Sequence, residues 1–202
     1  MKASGRWQRR AAVGVAAAAA VSVCQSGTSE AVTVPPLGSG CQLFSFLDQV
    51  RFEYQTSNGN VQSAGDWAGF WWNYVNHDAP DITKAGGGDI KVKAFYEPYT
   101  LTSAKVGVAG SWQQDPRCGA AAWKDMPVIW ANTYYFDAGG GIGVERMAHE
   151  WGHVFGLGHT SGGSSSCGNT ALMHPSSSHV WSCQIVGPTG WDVATINQIY
   201  KP

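Results

Sequence analysis

The stretch His149-Glu150-Trp151-Gly152-His153-Val154-Phe155-Gly156-Leu157-Gly158-His159 gathers metal-ligating and acid–base side chains at spacings that suit one ion. On a helix, His149 and His153 stand one turn apart on the same face, so both imidazoles can reach a single centre. At roughly 100° per residue, Arg146, His149, Glu150 and His153 share one side, and Val144, Met147, Ala148, Trp151, Val154 and Phe155 share the other. Gly156 tolerates the positive φ that a helix needs where it stops and turns, and the turn can bring His159 back to the metal. Three neutral imidazoles at roughly 2.0 to 2.1 Å leave the fourth tetrahedral position of Zn²⁺ to water, as in catalytic zinc sites. Water bound there drops to a pKa of about 7, and Glu150, not itself a ligand, is the expected general base. A pair of histidines at this spacing is, alone, ordinary surface or core; its coincidence with Gly156 and His159 is what favours zinc.

These eleven residues match HExxHxxGxxH at every fixed position, and on them the chain resembles the metzincin zinc peptidases. Downstream, Ala171-Leu172-Met173-His174-Pro175 is similar to the ALMYP Met-turn of the matrixins, with His174 where they carry Tyr, and Thr160 fits the Ser or Thr expected after the third His. The resemblance implies that Met173 makes an apolar floor beneath the zinc without ligating it. Cys167 and Cys183 bracket Met173 as in snapalysin, a small secreted metzincin that has Asp as third ligand where this chain has His159. Pro116-Arg117-Cys118-Gly119 opens like the matrixin cysteine switch, but Ala120-Ala121-Ala122 follow it and it lies inside the domain, so a disulfide role is expected for Cys118.

The fold implied by the resemblance is α+β. It comprises a twisted, mixed five-stranded sheet, two helices above the cleft, and an irregular lower subdomain ending in a C-terminal helix. By element order, Gly107, Val108, Ala109 and Gly110 fall on the antiparallel edge strand that holds the substrate backbone, and exposed edges do pair with extended peptides. The implied activity is peptide-bond hydrolysis in a polypeptide substrate. Astacins and serralysins place a Tyr two residues beyond the Met; Pro175 stands there in this chain.

The elements that must position these residues can be read from pattern. Residues 50–54 alternate as a half-buried strand, and Asn58-Gly59 marks a turn. Residues 63–76 form an amphipathic helix in which Trp67, Phe70, Trp71, Tyr74 and Val75 recur at helical spacing, with Ser63 as N-cap. Residues 81–83, 90–96, 106–112 and 127–131 read as strands, with Ile90, Val92, Ala94 and Tyr96 on one face of the second. Residues 191–200 close the domain as a helix carrying Val193, Ile196, Ile199 and Tyr200.

Residues 1–31 read as a signal peptide. Lys2, Arg6, Arg9 and Arg10 form the basic region, residues 11–23 an apolar stretch too short to span a bilayer, and Ser29-Glu30-Ala31 a cleavage site. A lipidated Cys24 is disfavoured by Val23 before it. Residues 32–202 then make one domain, a secreted monomer with no membrane span. Removing Lys2, Arg6, Arg9, Arg10 and Glu30 takes the formal net charge from −1 to −4 with no basic run, which argues against nucleic acid.

Cys41, Cys118, Cys167 and Cys183 remain, an even number that points to two disulfides in an exported chain. Four cysteines permit three pairings; Cys167 with Cys183 and Cys41 with Cys118 are favoured. His77, His174 and His179 are expected at the surface or in loops. Asp78, Asp81 and Asp89 flank glycine-rich loop, yet no calcium motif supports a Ca²⁺ site there. Two other readings stand beside the peptidase: a secreted carbohydrate- or surface-binding module, suggested by ten Trp, and a zinc-binding pseudoenzyme, disfavoured by the intact Glu150.

Overall fold

The computed structural model describes residues 32–36, 49–98, 104–107, 112–115, 120–123, 127–136, 141–160 and 166–200. The chain is α+β. Its order is β1 (Gln49–Tyr54), α1 (Gly59–Tyr74), β2 (Asp81–Lys84), β3 (Ile90–Phe95), β4 (Ala104–Gly107), β5 (Trp112–Asp115), β6 (Ala120–Trp123), β7 (Val128–Asn132), α2 (Thr133–Phe136), α3 (Ile142–Val154), α4 (Ser177–Ser182) and α5 (Gly190–Tyr200).

The main sheet runs β2-β1-β3-β7-β4. β2, β1, β3 and β7 are parallel, with Val50 beside Ile82, Phe52 beside Ile90, and Val92 beside Ile129. β4 joins at the edge, antiparallel to β7, with Gly107 opposite Val128. A separate hairpin pairs β5 with β6. The single strand expected over 106–112 is thus divided: β4 ends at Gly107 and β5 begins at Trp112. Val108, Ala109 and Gly110 lie outside the described residues.

α1 differs from its expected form in both its start and its buried face. Its N-cap is Asn58, whose side chain accepts a hydrogen bond from Val61 N at 2.9 Å, so the helix begins four residues before Ser63. The face turned inward is Val61, Ala64, Gly65, Ala68, Gly69 and Trp72, while Trp67, Phe70 and Tyr74 are 53%, 48% and 71% exposed. Close approach decides this. A Cβ on Gly65 would strike the Tyr54 hydroxyl from β1, one on Gly69 would touch Ile82 Cγ2 of β2 at 3.4 Å, and one on Gly143 of α3 would lie 3.5 Å from Ala64 Cβ. Small side chains let α1 lie tightly on the sheet and on α3, and the larger rings are left outside, where Phe70 stacks on Tyr74. Tyr96, expected on the buried face of β3, is likewise exposed; it lies beyond the strand's end.

The core between α1, α3 and α5 is aromatic at its centre. Trp151 meets Phe52 edge-on at 5.5 Å, Trp72 meets Phe155 at 5.3 Å, and Tyr200 donates to the Phe155 carbonyl at 3.1 Å. The segment 32–36 runs along α5 and the end of α3. Thr195 donates to the Val34 carbonyl at 2.7 Å, and Gly158 N donates to that of Pro35 at 2.7 Å.

Because Ala68 is fully buried and Trp67 is not, we expect Ala68→Leu to destabilise the protein by about 1–3 kcal/mol and Trp67→Gln to change it by under about 0.5 kcal/mol. Urea unfolding of the two variants checks this, and the opposite ranking would mean that the large rings form the buried face.

Candidate metal centre

α3 carries Ile142, Arg146, His149 and His153 along a partly exposed stripe and buries Met147, Ala148, Trp151 and Val154 behind it. The helix ends at Phe155, and Gly156 takes φ +93°, the left-handed conformation the sequence called for. The turn returns His159 to the helix. Among the described residues, His149, His153 and His159 form the one group of three whose ligand atoms converge, all within 4.8 Å of one another.

The tautomers follow from the hydrogen bonds. His149 Nδ1 faces the Leu172 carbonyl at 2.8 Å and His153 Nδ1 faces the Leu157 carbonyl at 2.7 Å. A carbonyl only accepts, so each Nδ1 carries the proton and each Nε2 presents a bare lone pair. Both of those Nε2 atoms lie 3.1 Å from His159 Nε2. One His159 proton could serve one of them but not both, so a neutral trio leaves at least one lone pair unmatched. A cation at the centre resolves the conflict, and tetrahedral bonds of 2.0–2.1 Å separate ligand nitrogens by about 3.3 Å, close to what is seen. Three imidazoles suit Zn²⁺, and the two carbonyl partners are the outer contacts that orient such ligands. The residues fit the ion.

Electrostatics keep the rings neutral. Burial, then the neighbouring His153, hold His149 down to about 3, and burial holds His153 down to about 4. His159 is lowered too, by burial and then by His174. Glu150, next to His149, is 7% exposed.

The Met-turn wraps this cluster. Met173 is fully buried, and its Sδ lies where a Cβ on Gly152 would project, between the two helical histidines. Thr160 N donates to the Met173 carbonyl at 3.1 Å, tying the residue after His159 to the turn. The turn is anchored by a residue the sequence reading passed over. Asp192, fully buried in α5, accepts from Leu172 N at 2.9 Å and Met173 N at 3.2 Å, as well as from Thr189 N and Oγ1 at 2.8 and 2.7 Å. Burial raises its pKa while these bonds oppose the rise. Its signal was there in Thr189-x-x-Asp192, a capping pair at the start of α5.

The remaining sites divide. Cys167 and Cys183 form a disulfide across the Met-turn segment; Cys41 and Cys118 lie outside the described residues. Gly107 ends the edge strand β4, which α3 lies against. His174 lies in a loop, as expected, but is buried there: its ring sits 4.7 Å from that of His179, and its Nδ1 accepts from Ser176 N at 3.0 Å. His179 is half-buried and bonds Thr170 Oγ1 at 2.9 Å, and His77 donates to the Trp72 carbonyl at 2.8 Å. His77 is a half-buried loop residue, as expected, whereas His179 lies on α4. Asp89 pairs with Arg51 at 3.4 Å, and neither it, Asp78 nor Asp81 joins a metal-competent group among the described residues. In comparison with known proteins, no family model matches the chain and no curated protein matches it.

Two outcomes follow from this geometry. With the ion removed, the folded chain binds fewer protons than the unfolded one between pH 6.5 and about 3, because His149 is shifted from 6.5 to about 3. Stability of the metal-free protein should therefore be full above the ordinary histidine range and fall as pH drops below 6.5; flat stability from pH 7 to 4 in urea titrations would contradict the neutral trio. Gly152→Ala should push Met173 aside, costing about 1–3 kcal/mol and weakening metal binding, read by calorimetry and metal content.

Proposed function

We propose that the chain is an exported zinc-dependent endopeptidase of the metzincin type. The observation that supports this best is the convergence of His149, His153 and His159 through Nε2 while His149 and His153 are locked through Nδ1; Glu150 follows His149 in sequence. Zn²⁺ held by these three imidazoles would supply Lewis acidity to the scissile carbonyl and lower the pKa of water.

The chain's own residues do the rest. Glu150 takes the proton from the attacking water and passes it to the departing amine. Leu172 and Leu157 carbonyls keep the two helical imidazoles in the tautomer that leaves Nε2 bare. Met173 gives the site an apolar floor, and Asp192 holds that floor through two backbone amides. β4 has no strand on its outer side among the described residues, so an extended polypeptide can pair there, with Gly107 at the end that meets Val128 of β7. The basic and apolar leader and the Cys167–Cys183 bond both accord with secretion, and we infer a monomer.

A second reading, a surface-binding module, draws on the exposed Trp67, Phe70 and Tyr74 and on an adjoining cavity of about 390 Å³ lined by Trp67, Trp71 and Val144. Glu150→Gln separates the two. Under the peptidase reading it lowers cleavage of an unfolded protein substrate by about 100-fold or more while zinc stays bound, and a chelator abolishes wild-type cleavage until zinc is restored. Wild-type protein carrying one zinc and cleaving nothing in a broad peptide library would overturn it.

A further inference from the structure

We propose that Trp72 of α1 is the positioning residue of the metal centre, acting through its indole N–H on the backbone that carries His149. This inference rests on the metal-centre reading and extends it to a residue outside the motif.

Trp72 is fully buried against the back of α3. Its Nε1–H donates to the Ala148 carbonyl at 2.8 Å. That carbonyl belongs to the planar peptide unit whose nitrogen is His149 N, so the bond sets the plane from which the His149 side chain departs. At its other end His149 is held by the Leu172 carbonyl at Nδ1. The ligand is therefore gripped twice, from α1 through its backbone and from the Met-turn through its ring. The same indole reaches Gly152: a Cβ there would lie 3.5 Å from Trp72 Cζ2 and would collide with Met173 Sδ. Trp72 and Met173 thus close on one glycine between the two helical ligands.

The indole has little freedom to drift. Its ring meets Phe155 at 5.3 Å and His77 at 6.0 Å, and His77 donates to its own carbonyl at 2.8 Å. A metal site needs its ligands within about 0.5 Å of the productive arrangement, and a buried hold on one ligand from two sides meets that demand. Losing the N–H need not unfold the helix, because the Ala148 carbonyl keeps the helical partner four residues on.

The test replaces Trp72 in the full chain with β-(3-benzothienyl)alanine, which keeps the two-ring shape and puts sulfur where the N–H was. We expect the melting temperature of the metal-free protein to stay within a degree or two of wild type. Zinc affinity, read by competition with a chromogenic chelator, should fall about 10-fold, and the Co²⁺ absorption bands should shift. A variant that folds and matches wild type in zinc affinity and cobalt spectrum overturns the proposal. Should the variant fail to fold, hydrogen exchange in the unmodified protein decides: reciprocity requires zinc to slow exchange of the Trp72 indole proton more than that of the β3–β7 amides, and equal slowing overturns it. None of these readouts depends on peptide cleavage. Wild-type protein that takes up no zinc would instead remove the metal-centre reading itself.

Discussion

His149 and His153 each turn a bare Nε2 lone pair onto His159 Nε2 at 3.1 Å, a crowding that a positive charge at the centre would relieve, and α3, the Gly156 turn and the segment around Met173 keep it in place. His149 and His153 cannot turn away, because each has its other ring nitrogen committed to a backbone carbonyl at 2.8 and 2.7 Å. They cannot relieve the crowding by taking protons, because burial depresses both. The chain thus spends folding free energy on an arrangement that is unfavourable alone and that a cation at the centre would make favourable.

Each supporting element takes one share of that work. α3 sets the one-turn separation of His149 and His153, Gly156 in the left-handed region reverses the chain, and Gly158 N on the Pro35 carbonyl fixes the return. The Met-turn supplies the Leu172 carbonyl and the Met173 side chain, and Asp192 orients both residues through their amides. A single buried carboxylate accepting four hydrogen bonds is well compensated, which is how an acidic group can be fully enclosed here. α5 therefore does more than cover the core: through Asp192 it anchors the segment that carries Leu172 and Met173.

The site was more legible in the sequence than the scaffold around it. The spacing of His149, His153 and His159 is a local property of one helix and one turn, so their convergence and the bend at Gly156 could be read from their intervals, and the Cys167–Cys183 loop was short enough to suggest itself. The face of α1 was misread because apolar periodicity weighs side chains by hydrophobicity. The packing of α1 selects instead by size: Gly65 and Gly69 go in, and Phe70 and Tyr74 stay out. Trp72 was hidden in the same way, one position off the stripe that periodicity favoured. The burial of the loop residue His174 and the place of His179 on α4 went unread because they depend on packing around residues 170–183 that no local pattern encodes.

X-ray absorption at the zinc edge of the loaded protein bears most directly on the central claim. Three imidazole nitrogens and one light atom at about 2.0 Å, falling to two imidazoles in His159→Ala, is the expected result. Sulfur in the first coordination shell, or an imidazole count that does not respond to loss of His159, would show that the ion is held elsewhere and that the three rings are not its ligands.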